Sequence, residues 1–206
     1  MKEKAIPLNA LTWWVGGCVL QSDASWNSRA FFPPDMGDAS AWIHVNAQQV
    51  CRHFHLPLSL PQAPVFSLMH IGRLSASQRK QILRLMALVC QPPRPAQAVT
   101  EEQGKWCRRL AKALRPGLWL PDDLTFIDDD YADTLTLLRA CYGERCWPRL
   151  RLLFPRPWTT GCRLLANPLP AARLNTLCDA LIWKAAAVEH DEPLFREKED
   201  VNQKDV

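Results

Sequence analysis

Cys51-Arg52-His53-Phe54-His55 is the one local cluster of metal-ligand residue types in the chain. A thiolate with two imidazoles is a zinc-binding set, and on a β-strand all three would point to one side. The flanking residues argue for a helix instead, because Ala47, Val50, Cys51 and Phe54 recur at i, i+3, i+4 and i+7. Residues two apart on a helix point about 200° from one another, so the period that makes the helix also disperses the ligands. No metal and no cofactor is expected. The eight cysteines, at 18, 51, 90, 107, 141, 146, 162 and 178, include no C-x-x-C pair. Cys51, Cys90, Cys107, Cys141 and Cys178 fall in helical patterns, where free thiols act as small hydrophobes, so disulfides are not expected.

Catalytic motifs are absent: there is no G-x-S-x-G elbow, P-loop, dinucleotide fingerprint or H-E-x-x-H. These residues leave an enzyme unsupported, not excluded, and no small-molecule substrate is expected. A thiol enzyme stays as an alternative, and it would need one reactive cysteine. Asp122-Asp123 and Asp128-Asp129-Asp130 could suggest cation ligands, but they lack the spacing of a calcium loop and read as acids that complement the start of the following helix.

A basic run carries the strongest binding signal. Between Arg139 and Arg173 there are seven arginines (139, 145, 149, 151, 156, 163, 173) and one acid, Glu144, with Trp147 and Trp158 interleaved. Arginine with tryptophan is the composition of protein-interface hot spots. Trp147, Arg149, Arg151, Arg156 and Trp158 are therefore the expected protein-binding residues, with the arginines facing an acidic partner and at least one Trp packed inward. A solvated basic face and a phosphate-binding surface for nucleic acid are the competing readings, the last carrying the least weight.

The elements that hold these residues read as helices. The 206 residues are 48% apolar and 22% charged, with nine Trp, 17 Pro and only eight Gly. So few glycines argue against phosphate-cradling loops and doubly wound nucleotide folds. The periods predict an all-α compact domain over 1–188, with five or more helices joined by proline-rich connections. Helices are expected near 46–55, 75–90, 101–114, 131–146 and 170–188. Asn46 should cap the first, Ser75 with Gln78 forms a capping box on the second, and Thr100 caps the third. The second helix should bury Ile82, Leu85, Met86 and Val89 and show Arg79, Lys80 and Arg84 on its other face. The third should bury Trp106, Cys107, Leu110 and Leu114. The fourth, with Leu135, Leu138, Cys141 and Tyr142, and the fifth, with Leu174, Leu177, Cys178, Leu181, Ile182, Ala185 and Val188, should pack on each other as the organising pair.

Residues 1–35 are aromatic without a clean period, and 56–65 read as loop. A proline-broken linker at 91–98 is a candidate subdomain boundary. Residues 189–206 carry seven acids and three bases and read as a charged, disordered tail. Pro7, Asn9 and Thr12 interrupt the apolar run before Cys18, so no translocation signal is read, and no run is long enough to span a membrane. The expectation is a cytoplasmic protein that meets a membrane only indirectly.

One resemblance adds to this. Leu137-Leu138, then Trp147-Pro148-Arg149-Leu150-Arg151-Leu152 and a proline, then the Leu-rich helix from Leu169-Pro170 to Ala187, resemble the carboxy-terminal part of the SctK (YscK) family. Phe31-Phe32-Pro33-Pro34-Asp35 looks like the family's aromatic-proline-acidic opening, and Cys107-Arg108-Arg109-Leu110-Ala111 is similar to its middle helices. Trp42-Ile43-His44 departs from the family's pattern. The resemblance implies a mostly helical, non-enzymatic accessory protein of type III secretion injectisomes. Its partners would be the inner-membrane ring and the large subunit of the cytosolic sorting platform.

Overall fold

The computed structural model describes residues 6–34, 37–61, 65–91, 100–126 and 131–187. The linker prolines of 92–99, the Asp128-Asp129-Asp130 run, Asp35 and the tail after 187 lie outside the described residues. Among the described residues every regular element is helical. The helices are α1 (Leu8–Val15), α2 (Ser28–Phe31), α3 (Ala39–Val45), α4 (Ala47–His53), α5 (Val65–Arg73), α6 (Ala76–Cys90), α7 (Glu101–Leu114), α8 (Ala132–Tyr142), α9 (Trp147–Leu150), α10 (Arg156–Thr160) and α11 (Ala171–Ala186), with four short 3-10 turns between them. The all-α expectation is met, and α4, α6, α7, α8 and α11 are the five helices read from periodicity.

Local chemistry explains where the two best-defined helices begin. Ser75 Oγ accepts from the Gln78 amide while the Gln78 side chain accepts from the Ser75 amide. Thr100 and Gln103 repeat the exchange at the start of α7, where Glu101 and Glu102 add negative charge to the positive end of the helix dipole. α7 ends at Arg115, in the left-handed conformation at φ 49°, and Pro116 follows, which cannot continue the helix.

Packing corrects four expectations. α8 and α11 do pack together, but the hub is α6, which packs against α11, α7 and α8. It buries Ile82, Leu83, Leu85, Met86 and Val89 completely, so its apolar face is wider than the one expected. Arg79 was expected on the outer face with Lys80 and Arg84. It is buried at 8% exposure, with Nη1 donating to the Gly72 carbonyl at 3.3 Å. In α7 the fully buried stripe is Gln103, Cys107 and Ala111, one step round from the expected one; Trp106, Leu110 and Leu114 are half-buried at its edge. Polar Gln103 can be buried because its side chain serves the capping box and accepts from Gln81 Nε2.

The amino-terminal segment is more ordered than its composition suggested. Asn46 does not cap α4 with its side chain. It donates Nδ2 to the Trp42 carbonyl, closing α3 and bending the chain into α4. α5 begins at Val65, inside the stretch read as loop. α1 buries Ala10, Trp13 and Trp14 and ends at Gly16. A Cβ on Gly16 would lie 2.8 Å from Ile43 Cγ2 and 3.3 Å from Val50 Cγ1, so glycine lets α3 and α4 come close. One core cluster takes residues from Ala10 to Ala185, on both sides of the proline linker. No helix among the described residues is long and apolar enough to cross a membrane.

Candidate functional site: an arginine and tryptophan surface

The stretch expected to be a binding turn is itself built of short helices. α9 holds Trp147 and Arg149, a 3-10 turn covers Arg151–Leu153, and α10 starts at Arg156. Pro148 and Pro157 stand in the first turns of α9 and α10, where the missing N–H costs no helical hydrogen bond, and Pro155, the N-cap of α10, separates that helix from the 3-10 turn. The amino-terminal segment is tied onto this stretch. Asp23 N donates to the Leu152 carbonyl at 2.8 Å, Trp26 Nε1 to the Phe154 carbonyl at 2.9 Å, and Arg156 N to Ser25 Oγ at 2.8 Å.

The five expected site residues separate into an inner and an outer set. Trp147 is buried, with the Arg139 guanidinium 5.3 Å above its ring; it is the inward Trp that the sequence called for. Arg149 was expected to face a partner, and its placement corrects that: it is 1% exposed. Its Nε donates to the Trp14 carbonyl at 2.6 Å, its Nη2 to the Pro57 carbonyl at 2.8 Å, and its guanidinium lies 3.9 Å over the Trp14 ring. The Trp14 indole in turn donates to the Ser59 carbonyl at 2.8 Å. Thus Arg149 ties α1 and the 56–61 segment to α9 through their main chains. Burial lowers its pKa from the ordinary arginine value, while the neighbouring thiols of Cys18, Cys51 and Cys146 act the other way.

Arg151, Arg156 and Trp158 form the outer set. Arg151 is half-buried, donating Nη2 to the Phe54 carbonyl at 3.0 Å. Arg156 is exposed, and both guanidinium groups lie over the Trp26 ring, at 5.2 and 5.6 Å. Trp26 is therefore part of the surface, and the sequence reading missed it: the only signal was its aromatic type, in a segment without a period. Trp158 is half-buried, 4.7 Å from the Tyr131 ring, with Lys80 Nζ 5.9 Å from its own ring. Between α6 and this turn lies a cleft of about 330 Å³, walled by Asp23, Arg79, Lys80, Arg84, Phe154 and Trp158. The three cations all come from α6, so the basic surface joins two regions far apart in sequence.

Two other arginines of the run are locally neutralised. Arg139 makes a two-pronged pair with Glu144, each contact 2.7 Å, and Arg163 pairs with Asp123. Asp123 was expected to serve the start of α8; it instead joins the 121–126 segment to the chain after α10. Asp133 supplies the local bonds, accepting from the Thr125 and Phe126 amides at 2.8 Å each.

A second surface feature is apolar. Phe66, Ile182, Trp183 and Ala186 border a groove of about 590 Å³, with Phe66 60% and Trp183 69% exposed. Trp183 breaks the face period of α11: the stripe from Leu174 to Ala185 is buried as read, and Trp183 projects away from it.

The Cys51-His53-His55 cluster disperses as the helix demands. Cys51 turns inward and donates its thiol to the Val15 carbonyl at 2.9 Å, and His53 stacks on Phe31 at 4.3 Å. His55 follows α4 at φ 52°. Among the described residues no group of three or more His, Cys, Asp or Glu side chains is gathered to hold a metal. All eight cysteines are free thiols, and five are buried. Burial pushes the Cys18 thiol up to about 12 and that of Cys107 to about 11. Cys141 is held below the ordinary thiol value by its hydrogen bond with Cys178. No family model, no curated protein and no solved structure matches the chain.

Proposed function

We propose that this chain is a non-enzymatic protein-binding adaptor that uses the outer arginine and tryptophan set, Arg151, Arg156, Trp158 and Trp26, against an acidic partner surface. The observation that carries this reading is Arg156. It is exposed, without a carboxylate partner among the described residues, and over an aromatic ring fixed to the main chain. An unpaired guanidinium on a rigid aromatic base is the kind of group that binds at interfaces, because little side-chain freedom is lost on contact. The groove with exposed Phe66 and Trp183 supplies a separate apolar patch. Two patches of different chemistry suit a protein that holds two partners.

The resemblance of 137–187 to the SctK family gives this adaptor a setting: the inner-membrane ring and the sorting platform of a type III secretion injectisome. The test is affinity capture from the native organism at low and high salt, with wild type, Arg156→Glu and Trp183→Ser. Ring or platform proteins should be retained by wild type at low salt, reduced several-fold by Arg156→Glu, and released as salt rises, because screening weakens an exposed charge contact. Recovery of nucleic acid instead, or of the same proteins by wild type and Arg156→Glu alike, would remove this face from the function.

A further inference from the structure

The cleft between α6 and the Phe154–Trp158 turn has a charge arrangement that contacts within the chain do not explain. Arg79 in its wall is more than nine-tenths buried, yet no carboxylate is within ion-pair distance of Arg79, Lys80 or Arg84 among the described residues. Arg79 has one hydrogen bond, from Nη1 to the Gly72 carbonyl, and its Nε is buried with no acceptor. Removing a guanidinium from water without an anion is costly, and burial lowers its pKa while Asp23 only partly offsets this. The one acid in the wall is Asp23, whose Oδ1 already accepts from the Ser25 amide and hydroxyl. Arg84 keeps Nη groups free, since only Nε is engaged, at 3.3 Å from the Tyr131 hydroxyl.

We propose that this cleft binds the phosphate group of a small phosphate monoester. Three cations against one carboxylate leave an excess of two positive charges, which matches a phosphate of about −1.5 to −2 and exceeds what a single carboxylate neutralises. Two guanidinium forks supply paired donors for phosphate oxygens, and Lys80 supplies a point charge. Ala76 and Ser77, in the opening turn of α6, line the same wall, so the positive end of the helix dipole lies beside the cleft. Leu153, Phe154, Pro155 and Trp158 form an apolar wall for the organic part. A volume of about 330 Å³ is at the small end of ligand pockets, so that part is no larger than about one ring. This assignment does not rest on the adaptor reading, although Trp158 belongs to both surfaces.

Titration calorimetry with phenyl phosphate at low salt tests it, using the full chain. Wild type should bind one equivalent saturably. Lys80→Gln with Arg84→Gln should bind at least tenfold more weakly at an unchanged melting temperature, because both residues are only half-buried. Asp23→Asn, which can still accept from the Ser25 amide, should bind several-fold more tightly. Arg79→Gln should also lose binding; because it can unfold the start of α6, the other variants decide the outcome. Inorganic phosphate should bind more weakly than phenyl phosphate, and benzoate more weakly again. Equal binding by wild type and the double variant, or benzoate binding as tightly as phenyl phosphate, overturns the assignment. A tenfold preference for a phosphoserine peptide over phenyl phosphate also overturns it, since the cleft would then recognise protein.

Discussion

Two buried arginines, Arg149 and Arg79, each have one buried guanidinium nitrogen without a hydrogen-bond partner, yet their surroundings give them opposite uses. Arg149 is closed in by two main-chain carbonyls and the face of Trp14, with the thiols of Cys18, Cys51 and Cys146 close by. Arg79 has one carbonyl, two more cations beside it on α6, and an opening to solvent. The difference teaches that a buried cation serves the fold when the main chain satisfies it. When it stands among like charges at an open cleft, the energy that would relieve it is left for a ligand.

The largest expected effect tests the first half of this comparison. Arg149→Met should destabilise the protein by about 3–5 kcal/mol, because a buried and a part-buried carbonyl lose charge-assisted bonds and the Trp14 ring loses its cation. Arg149→Lys should recover less than half of this, since one ammonium cannot span the Trp14 and Pro57 carbonyls as the fork does. Urea unfolding followed by tryptophan fluorescence measures both. A cost below about 1 kcal/mol for Arg149→Met would mean that Arg149 is as replaceable as a surface charge, and the comparison would fail.

An intermediate effect concerns the thiols around Arg149. Cys18 rises from an ordinary 9.0 to about 12 through burial. A buried thiol that stays neutral in the fold but ionises in the unfolded chain favours folding below pH 9, and that contribution falls as pH climbs from 9 towards 12. Stability should therefore decline over this alkaline window, and Cys18→Ala should flatten the decline while lowering stability at pH 7. Thiol labelling checks the same physics, because Cys141, half-buried and with a lowered pKa, should react before Cys18 and Cys107 in the native protein.

Legibility followed from how local each signal was. The capping boxes at Ser75 and Thr100 and the long stripe of α11 are written in consecutive residues, and those helices stand where periodicity placed them. α1, α3 and α5 were not legible because their apolar residues are buried by distant elements: Trp14 meets Arg149, and Gly16 meets Ile43 and Val50. The site reading took the stretch as a whole and could not tell inner arginines from outer ones, since Arg149 and Arg156 have the same composition around them. Burial of Arg149 is decided by acceptors on Trp14 and Pro57, over ninety residues away in each case. The α6 cations went unassigned for the same reason: only the fold brings Arg79, Lys80 and Arg84 to the Trp158 turn.

The smallest expected effect is the most discriminating, because it concerns arginines five apart on one turn. Arg151→Gln removes a bond to the Phe54 carbonyl at 3.0 Å from a half-buried position, and should cost about 1 kcal/mol. Arg156→Gln removes an exposed charge that lies over the Trp26 ring with no side-chain hydrogen bond among the described residues, while its amide bond to Ser25 is kept; its cost should stay within about 0.5 kcal/mol. With Arg149→Met, the three variants should form a descending series that follows the number of main-chain acceptors each guanidinium reaches at 3.0 Å or less, two, one and none. Arg151 also reaches the Pro148 carbonyl at 3.4 Å, a bond too long to reorder the series. If Arg156→Gln costs as much as Arg151→Gln, the Trp26 contact fixes the turn, and Arg156 belongs to the fold with Arg149. If it costs nothing and partner capture still falls, the outer position is kept for binding alone.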